Sequence, residues 1–456
     1  MTVTFEQVAE FILQRPACEM PEDVQEWAAL MLLDTLGVLI AAGPMEAGVI
    51  ARDTAVSLYA SNDPSFTARL LFDGRKASLA GAAYAAATQT DNLDAHDGFN
   101  PTKGHIGVVV APALTALAEH CPELTGPEAL ATVIVGYEIA GRAGLALHAT
   151  VSDYHTSGAW NALGVAAMAA RLRGFTQDQL RQALGIAEYH GPRSQMMREI
   201  ANPTMLHDGS GWGALVGMSA ALLAERGFTG APAITIEEDR AVPYWDDLGD
   251  VWQMCQQYVK PYPICRWAHA AIDGVRLLMQ EHALTHEQIE TIRINSFHEA
   301  ACLYRGLPQT TSQAQYSLPF AVAAYAVHGQ IGVAQITGDG LSDPDIAALI
   351  NRIEVSERDR HNARFPDGRW ADVQIVTKDG QDFHSGDLNA RGGPDTPFSR
   401  EDIIEKFRAF AAPCIGPDRA DRIEKAVLGL ADTKSRFSDL AKLLYHPPRA
   451  DPDLSA

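Results

Sequence analysis

From Phe5 to about residue 260, apolar positions recur with helical spacing and almost never alternate with strand period. The spacing predicts helices at Phe5–Leu13, Val24–Ala42, Ala77–Thr90, Ile106–His120 and Gly126–Ala149. Further helices follow at Trp160–Leu172, Gln177–Tyr189 and Gly211–Arg226. Pro21-Glu-Asp opens the second of these, with proline in the first turn and acids where the helix dipole favours them. Its apolar residues, among them Met31, Leu33, Leu36, Val38 and Ile40, lie nearly all round the cylinder, which predicts burial on most sides. Ala80 to Ala87 is rich in small residues that let helices approach closely.

After residue 280 the texture changes. Ile289–Ser296, Ile353–Ser356 and Trp370–Thr377 alternate with period 2, and Asp367-Gly368 and Asp379-Gly380 bracket the last of them with hairpin-type turns. Helical stretches lie between, at Tyr316–Val327 and Pro344–Ile350. Ala390 to Pro397 reads as a linker, after which Ser399-Arg-Glu-Asp caps a helical run to about Leu444. The expected fold is mostly α: a large all-helical domain (1–268 and 396–456, the last helices docking back on it) and a smaller α+β lid domain (269–395).

A chain of 456 residues is long for a single core, which agrees with two domains. The net charge of −21 argues against nucleic acid or an anionic membrane as partner. The six cysteines form no CxxC pair, which points to reduced thiols and a cytoplasmic setting without a zinc framework. No basic-then-apolar leader pattern is visible at the N-terminus, and the apolar runs are broken by Asp, Gly or Glu short of membrane-spanning length.

Four clusters carry candidate chemistry. Lys260-Pro-Tyr-Pro-Ile-Cys-Arg-Trp-Ala-His269 is held extended by its prolines and then enters a helix, a natural seat for a carboxylate. Lys260 beside Tyr262 is a candidate base; Arg266 and His269 are candidate binding groups. Cys265 and His269 stand one helical turn apart, but no oxyanion loop or orienting carboxylate accompanies them as a nucleophile pair. Asp91, Asp94, His96, Asp97 and His105 share a loop between buried helices, suited to acid–base work or substrate binding. Their spacing matches no compact metal motif, so no metal is expected, and Asp97 is expected to serve as a cap in a solvated loop. Tyr154-His155 precedes a Ser/Gly-rich helix start that suits an anion. Arg193 and Arg198 could clamp a carboxylate, and His207 directly precedes a Gly-rich helix start.

Taken together, Asp91-x-x-Asp94 with His105, Tyr154-His155, Leu206-His207-x-Gly, Lys260-x-Tyr-Pro with His269, Ala314-Gln-Tyr-Ser-Leu-Pro319 and Arg391-Gly-x-Pro394 resemble the MmgE/PrpD family over about residues 5–445. That family includes 2-methylcitrate dehydratase, cis-aconitate decarboxylase and iminodisuccinate epimerase. The resemblance implies a helical domain with an α+β lid, a site between them, a homodimer, no cofactor, and a small di- or tricarboxylate substrate. It places Asp91, His105, His155 and Lys260 at polar active-site positions. Where decarboxylase members carry Thr, Lys, Tyr and His, this chain has Ala95, Thr204, Phe320 and Cys265. The missing donors point away from decarboxylation and weaken dehydration. The expectation is therefore an epimerase on an amino- or imino-dicarboxylate, with Lys260, His105, His155 and Tyr154 catalytic and Asp91, Asp94, His207, Arg266 and His269 binding substrate. A 2-methylcitrate-type dehydratase and a non-catalytic member of the same fold are the alternatives.

Overall fold

The computed structural model describes residues 5–448; residues 1–4 and 449–456, the outer ends of the expected helical domain, lie outside the described part. The chain is mostly helical, with one four-stranded sheet in its second half. The helices expected from periodicity are present with small shifts at their ends: Glu22–Ala41, Leu79–Asp91, Gly107–Ala118, Gly126–Thr150, Gly158–Leu172 and Ser210–Glu225. Thr125 caps the longest by accepting from the Glu128 amide, and Pro127 sits within its first turn. A helix at Glu46–Leu58 was not expected; only its Ala47, Gly48, Ala51 and Ala55 are buried, small residues that give a weak periodic signal.

Buried side chains form two cores. One joins the helices of residues 5–259 with Ile403, Phe407, Ile423 and Leu440 of the C-terminal helices. The helix Arg400–Ile415 packs on Glu22–Ala41, where Phe407 meets Gly37 so closely that a side chain at Gly37 would contact its ring at 3.0 Å. The second core runs from Tyr262 through the sheet to Ala390 and takes in Val38, Leu93 and Met196 from the helical body. The helices Glu22–Ala41 and Gly126–Thr150 are long and apolar enough to cross a bilayer by composition, a property that reading broken runs missed. Of their apolar windows, 83% and 94% are buried inside this fold. They are core helices.

The sheet has Ile289–Ser296 at its centre, parallel to Ile353–Glu357 on one side and antiparallel to Trp370–Thr377 on the other. Trp370–Thr377 then pairs with Asp382–Asn389 across the Asp379-Gly380 turn. That last strand was not expected. It is an edge strand of sequence DFHSGDLN with no buried residue, so it lacks the alternation that marks its neighbour. In the helical body, Gly98-Phe99 and Gln257-Tyr258 pair as a two-residue ladder, too short for periodicity to register.

Ala390–Pro397 is not a slack linker. Arg266 donates to the carbonyls of Ala390 (2.9 Å) and Arg391 (2.6 Å), Val259 donates to Gly392 at 2.9 Å, and Arg391 pairs with Asp273 at 2.9 Å. Gly392 has φ +88, and a Cβ there would strike the Val259 carbonyl, so glycine is required. This strap fastens the end of the sheet to the Lys260 segment.

Candidate active site

Two loops and the segment that follows the short strand Gln257–Tyr258 converge between the cores. The first loop, residues 92–106, leaves the Ala-rich helix at Asn92 and carries Asp94 and Lys103 in left-handed backbone (φ +54 and +56). Neither is glycine, so the loop stores strain of the kind that collects at functional sites. The second, residues 202–209, carries His207 at φ +46. Opposite them the short strand Gln257–Tyr258 leads through Val259 to Lys260, after which the chain bends at 261–264, although its prolines were expected to hold it extended.

A small cavity of ≈ 20 Å³ lies where these meet, lined by Asp94, Lys103, His105, Tyr154, Asp208, Tyr258, Cys265, Arg266 and Tyr316, with Met196 and Trp267 beside them. The carboxylate of Asp94 accepts from Lys260 Nζ at 2.5 Å, and the Asp94 carbonyl accepts from the same ammonium at 2.7 Å; both side chains are buried. Lys260 therefore has two protons committed to Asp94 and is not placed as the free base expected from sequence.

His105 is placed as a base. Its Nδ1 lies 2.7 Å from the Asp97 carbonyl, an acceptor only, so Nδ1 carries the proton and Nε2 keeps its lone pair. Burial first, and then the neighbouring Lys260, push this imidazole down to about 4, so it is neutral at physiological pH. Its Nε2 stands 3.6 Å from Asp208, whose other oxygen accepts from Ser157 Oγ at 2.7 Å. Asp97, expected in a solvated loop, is fully buried. Burial raises its carboxyl to about 7, and its carbonyl orients the base. The loop is further held by Lys406, which pairs with Asp34 at 2.6 Å and donates to the Ala95 carbonyl at 2.7 Å.

Tyr154 lines the cavity and donates to the Lys103 carbonyl. Arg266 lines it too, its guanidinium 4.3 Å from the Tyr258 ring centroid. The other expected residues sit apart. His269 spends Nε2 on the Ile264 carbonyl (2.9 Å) and packs on Tyr262, so it closes its own turn. The His155 ring lies outside the cavity: its backbone amide donates to His148 and the residue bridges to Gln195, which ties the segment to the neighbouring loop. Asp91 accepts from the Ser210 amide at 3.1 Å, and burial raises its carboxyl well above the usual range. Together with His207 it lines a larger cavity on the far side of the His207–Asp208 segment, bounded also by Thr204, Arg198 and Trp212. The acid–base groups converge on the smaller one. Arg198 reaches only the larger space, and Arg193 lines neither.

Asp94, His96 and His105 bring potential ligand atoms within 4.8 Å of one another, a spacing a cation could bridge. The Lys260 ammonium already supplies positive charge at Asp94, so the donor set suits a protonated amine better than a metal. Of the positions that depart from the decarboxylase pattern, Ala95 and Phe320 are fully buried. Thr204 is engaged with Glu199 through Oγ1 (2.9 Å) and its amide (2.6 Å). The Cys265 thiol is pushed up to about 12 by burial, which leaves it a poor proton donor and nucleophile.

Lys103, Asp208, Tyr258 and Tyr316 were not among the expected site residues. Asp208 adjoins His207, and Tyr316 lies within the Gln-Tyr-Ser-Leu-Pro motif, so both had a local signal. Tyr258 explains Gly98, where any Cβ would enter the Tyr258 ring.

Residues 6–243 match the MmgE/PrpD N-terminal domain, and residues 262–432 match the MmgE/PrpD C-terminal domain. Among curated proteins, the cis-aconitate decarboxylase of Mus musculus is 26% identical over 445 residues, covering 92% of this chain and 89% of that protein. That of Homo sapiens is 27% identical over 389 residues (80% and 79%), and that of Aspergillus terreus 24% over 485 residues (95% and 94%).

Proposed function

The chain belongs to the MmgE/PrpD family, and on that premise we propose that it moves a proton at a carbon next to a carboxylate in a small di- or tricarboxylate. The observation that carries this reading is the neutral, oriented His105, with Nδ1 tied to the Asp97 carbonyl and Nε2 open toward the cavity. His105 takes the proton. The enolate-like charge that develops on the substrate carboxylate is stabilised by the Lys260 ammonium, which is the donor that can return a proton. Asp94 holds Lys260 in place. Tyr154, Tyr258 and Tyr316 are neutral hydroxyls whose acidity burial has reduced, so they orient oxygen atoms without ionising.

Within this reading the finer assignment is an epimerase acting on an amino- or imino-dicarboxylate. Epimerisation needs one acceptor and one donor, and His105 with Lys260 supplies that pair. The second reading is a lyase, either a dehydratase of the 2-methylcitrate kind or a decarboxylase like the named relatives. It is favoured by those relatives and by the presence of an ammonium able to protonate a leaving group or a carbanion. It is opposed by the loss of donors at Ala95, Thr204, Phe320 and Cys265.

The protein incubated with iminodisuccinate stereoisomers, 2-methylcitrate, citrate and cis-aconitate, followed by chiral chromatography and ultraviolet absorbance, separates these. The expected result is stereoisomer interconversion with no new alkene. A new alkene from 2-methylcitrate or citrate, or released CO₂ from cis-aconitate, would replace the epimerase with the lyase. Absence of change in all four would contradict the substrate class.

A further inference from the structure

A second cysteine–histidine pair lies outside the cavity, on the surface of the sheet-containing half. Where Cys265 is buried and His269 is spent on the Ile264 carbonyl, Cys302 is exposed. It follows the one-turn helix His298–Ala301, which puts its Sγ 3.6 Å from Nε2 of His298, four residues earlier on the same face. On the other side of that ring, Nδ1 lies 2.9 Å from a carboxylate oxygen of Glu357, the last residue of the strand Ile353–Glu357. Asn362 fixes both partners: its Oδ1 accepts from the His298 amide and its Nδ2 donates to Glu357, each at 2.7 Å. Thiol, imidazole and carboxylate thus stand in sequence, joined from two stretches of chain and held by a third.

The order of these contacts places the protons. A carboxylate only accepts, so Nδ1 carries the ring proton and the lone pair at Nε2 faces the thiol. This is the relation of nucleophile, base and orienting acid that activates a weak nucleophile. Glu357 makes His298 more basic, and the donors from His298 and Asn362 hold Glu357 below the usual carboxylate range. The thiol is held above its usual value, by partial burial first and then by Glu299 and Glu357, with Arg305 opposing. Cys302 is therefore no standing thiolate; its proton leaves during attack, and His298 takes it. The amides around the sulfur are already engaged: Ala301 donates to Phe297, Cys302 to His298, Leu303 to Ala300 and Tyr304 to Tyr316. Those amides are not free to cradle an oxyanion, so the geometry favours capture of a carbon electrophile over acyl transfer.

We propose that Cys302 is a covalent modification site for α,β-unsaturated carbonyl compounds, with His298 as its base and Glu357 orienting that base. The sulfur bonds to the β-carbon while its proton passes to Nε2 of His298. The alkene electron pair moves toward the carbonyl, and the imidazolium returns the proton to the α-carbon. No oxidant is consumed and no group leaves. The adduct forms on a segment that also borders the cavity. Phe297 packs edge-on against Trp267, with ring centroids 6.3 Å apart, and the Tyr304 amide donates to the Tyr316 carbonyl at 2.8 Å. Trp267 and Tyr316 both lie at the cavity. This inference stands independently of the proton-transfer reading above.

The probe is N-ethylmaleimide at limiting concentration and neutral pH, with each cysteine of the full-length protein followed by peptide mass mapping. Cys18, also exposed, is the internal reference, and the buried Cys265 reports any unfolding. Cys302 is expected to be labelled at least about tenfold faster than Cys18. His298→Gln is expected to slow Cys302 by at least about tenfold and Glu357→Gln by severalfold, with Cys18 unchanged and Cys265 unlabelled in both. The pH profile is a second readout. In wild type the Cys302 rate is expected to rise as His298 loses its proton, before the thiol ionises by itself; in His298→Gln it rises only with the thiol's own ionisation. Labelling of Cys302 no faster than Cys18, or a rate and profile left unchanged by His298→Gln, would overturn the proposal and leave a merely exposed thiol.

Discussion

His105→Gln is expected to lower kcat by about a thousandfold, the scale of a lost general base, with KM changed little. Glutamine can still donate to the Asp97 carbonyl, so the loop stays in place while the lone pair at Nε2 is lost. The pH profile sharpens the test. His105 is held down to about 4 in the fold, so the base is protonated only below that pH. The kcat/KM of wild type therefore falls on the acid side with a midpoint near 4, and this group adds no inflection between pH 6 and 8. An acid limb centred near 6.5, the value of an ordinary histidine, would mean a different and more exposed histidine is the base. An unchanged kcat in His105→Gln would remove His105 from the chemistry.

Lys260→Met is the second large effect, and it acts on stability as well as rate. Removing the ammonium leaves Asp94 buried beside the buried Asp91 and Asp208, a deficit of about 3–5 kcal/mol for a broken buried pair. Burial already raises the Asp94 carboxyl, and Lys260 opposes that rise. Without Lys260 the folded-state value moves further above that of the unfolded chain. A carboxyl raised on folding contributes stability below its unfolded value and loses it as pH rises through the folded one. The variant is therefore expected to unfold more readily at neutral pH than at pH 5. Lys260→Met/Asp94→Asn removes both charges and is expected to regain most of the lost melting temperature while activity stays at least about a hundredfold down. Recovery of activity with stability in the double variant would make the pair purely structural.

The helical framework was legible because its signals are local. Period, caps and prolines placed the long helices, and strand alternation placed three strands of the sheet. What escaped was whatever alternation cannot mark: the polar edge strand Asp382–Asn389, the two-residue ladder at Gly98 and Tyr258, and the small-residue helix Glu46–Leu58. At the site, residue types identified His105, Lys260, Asp94, Tyr154 and Arg266, all of which converge. They could not assign roles. Lys260 reads as a base until Asp94 is seen on it, and His269 reads as a ligand until its Nε2 is found on the Ile264 carbonyl.

The central claim is proton abstraction at a carbon beside a carboxylate, and hydrogen exchange tests it most directly. Proton NMR of the four acids with the protein in D₂O reads the α-position itself. The account predicts loss of the α-proton signal from at least one acid with wild type, and its retention with His105→Gln under the same conditions. A product formed with the α-proton fully retained, or exchange at the wild-type rate in His105→Gln, would contradict it.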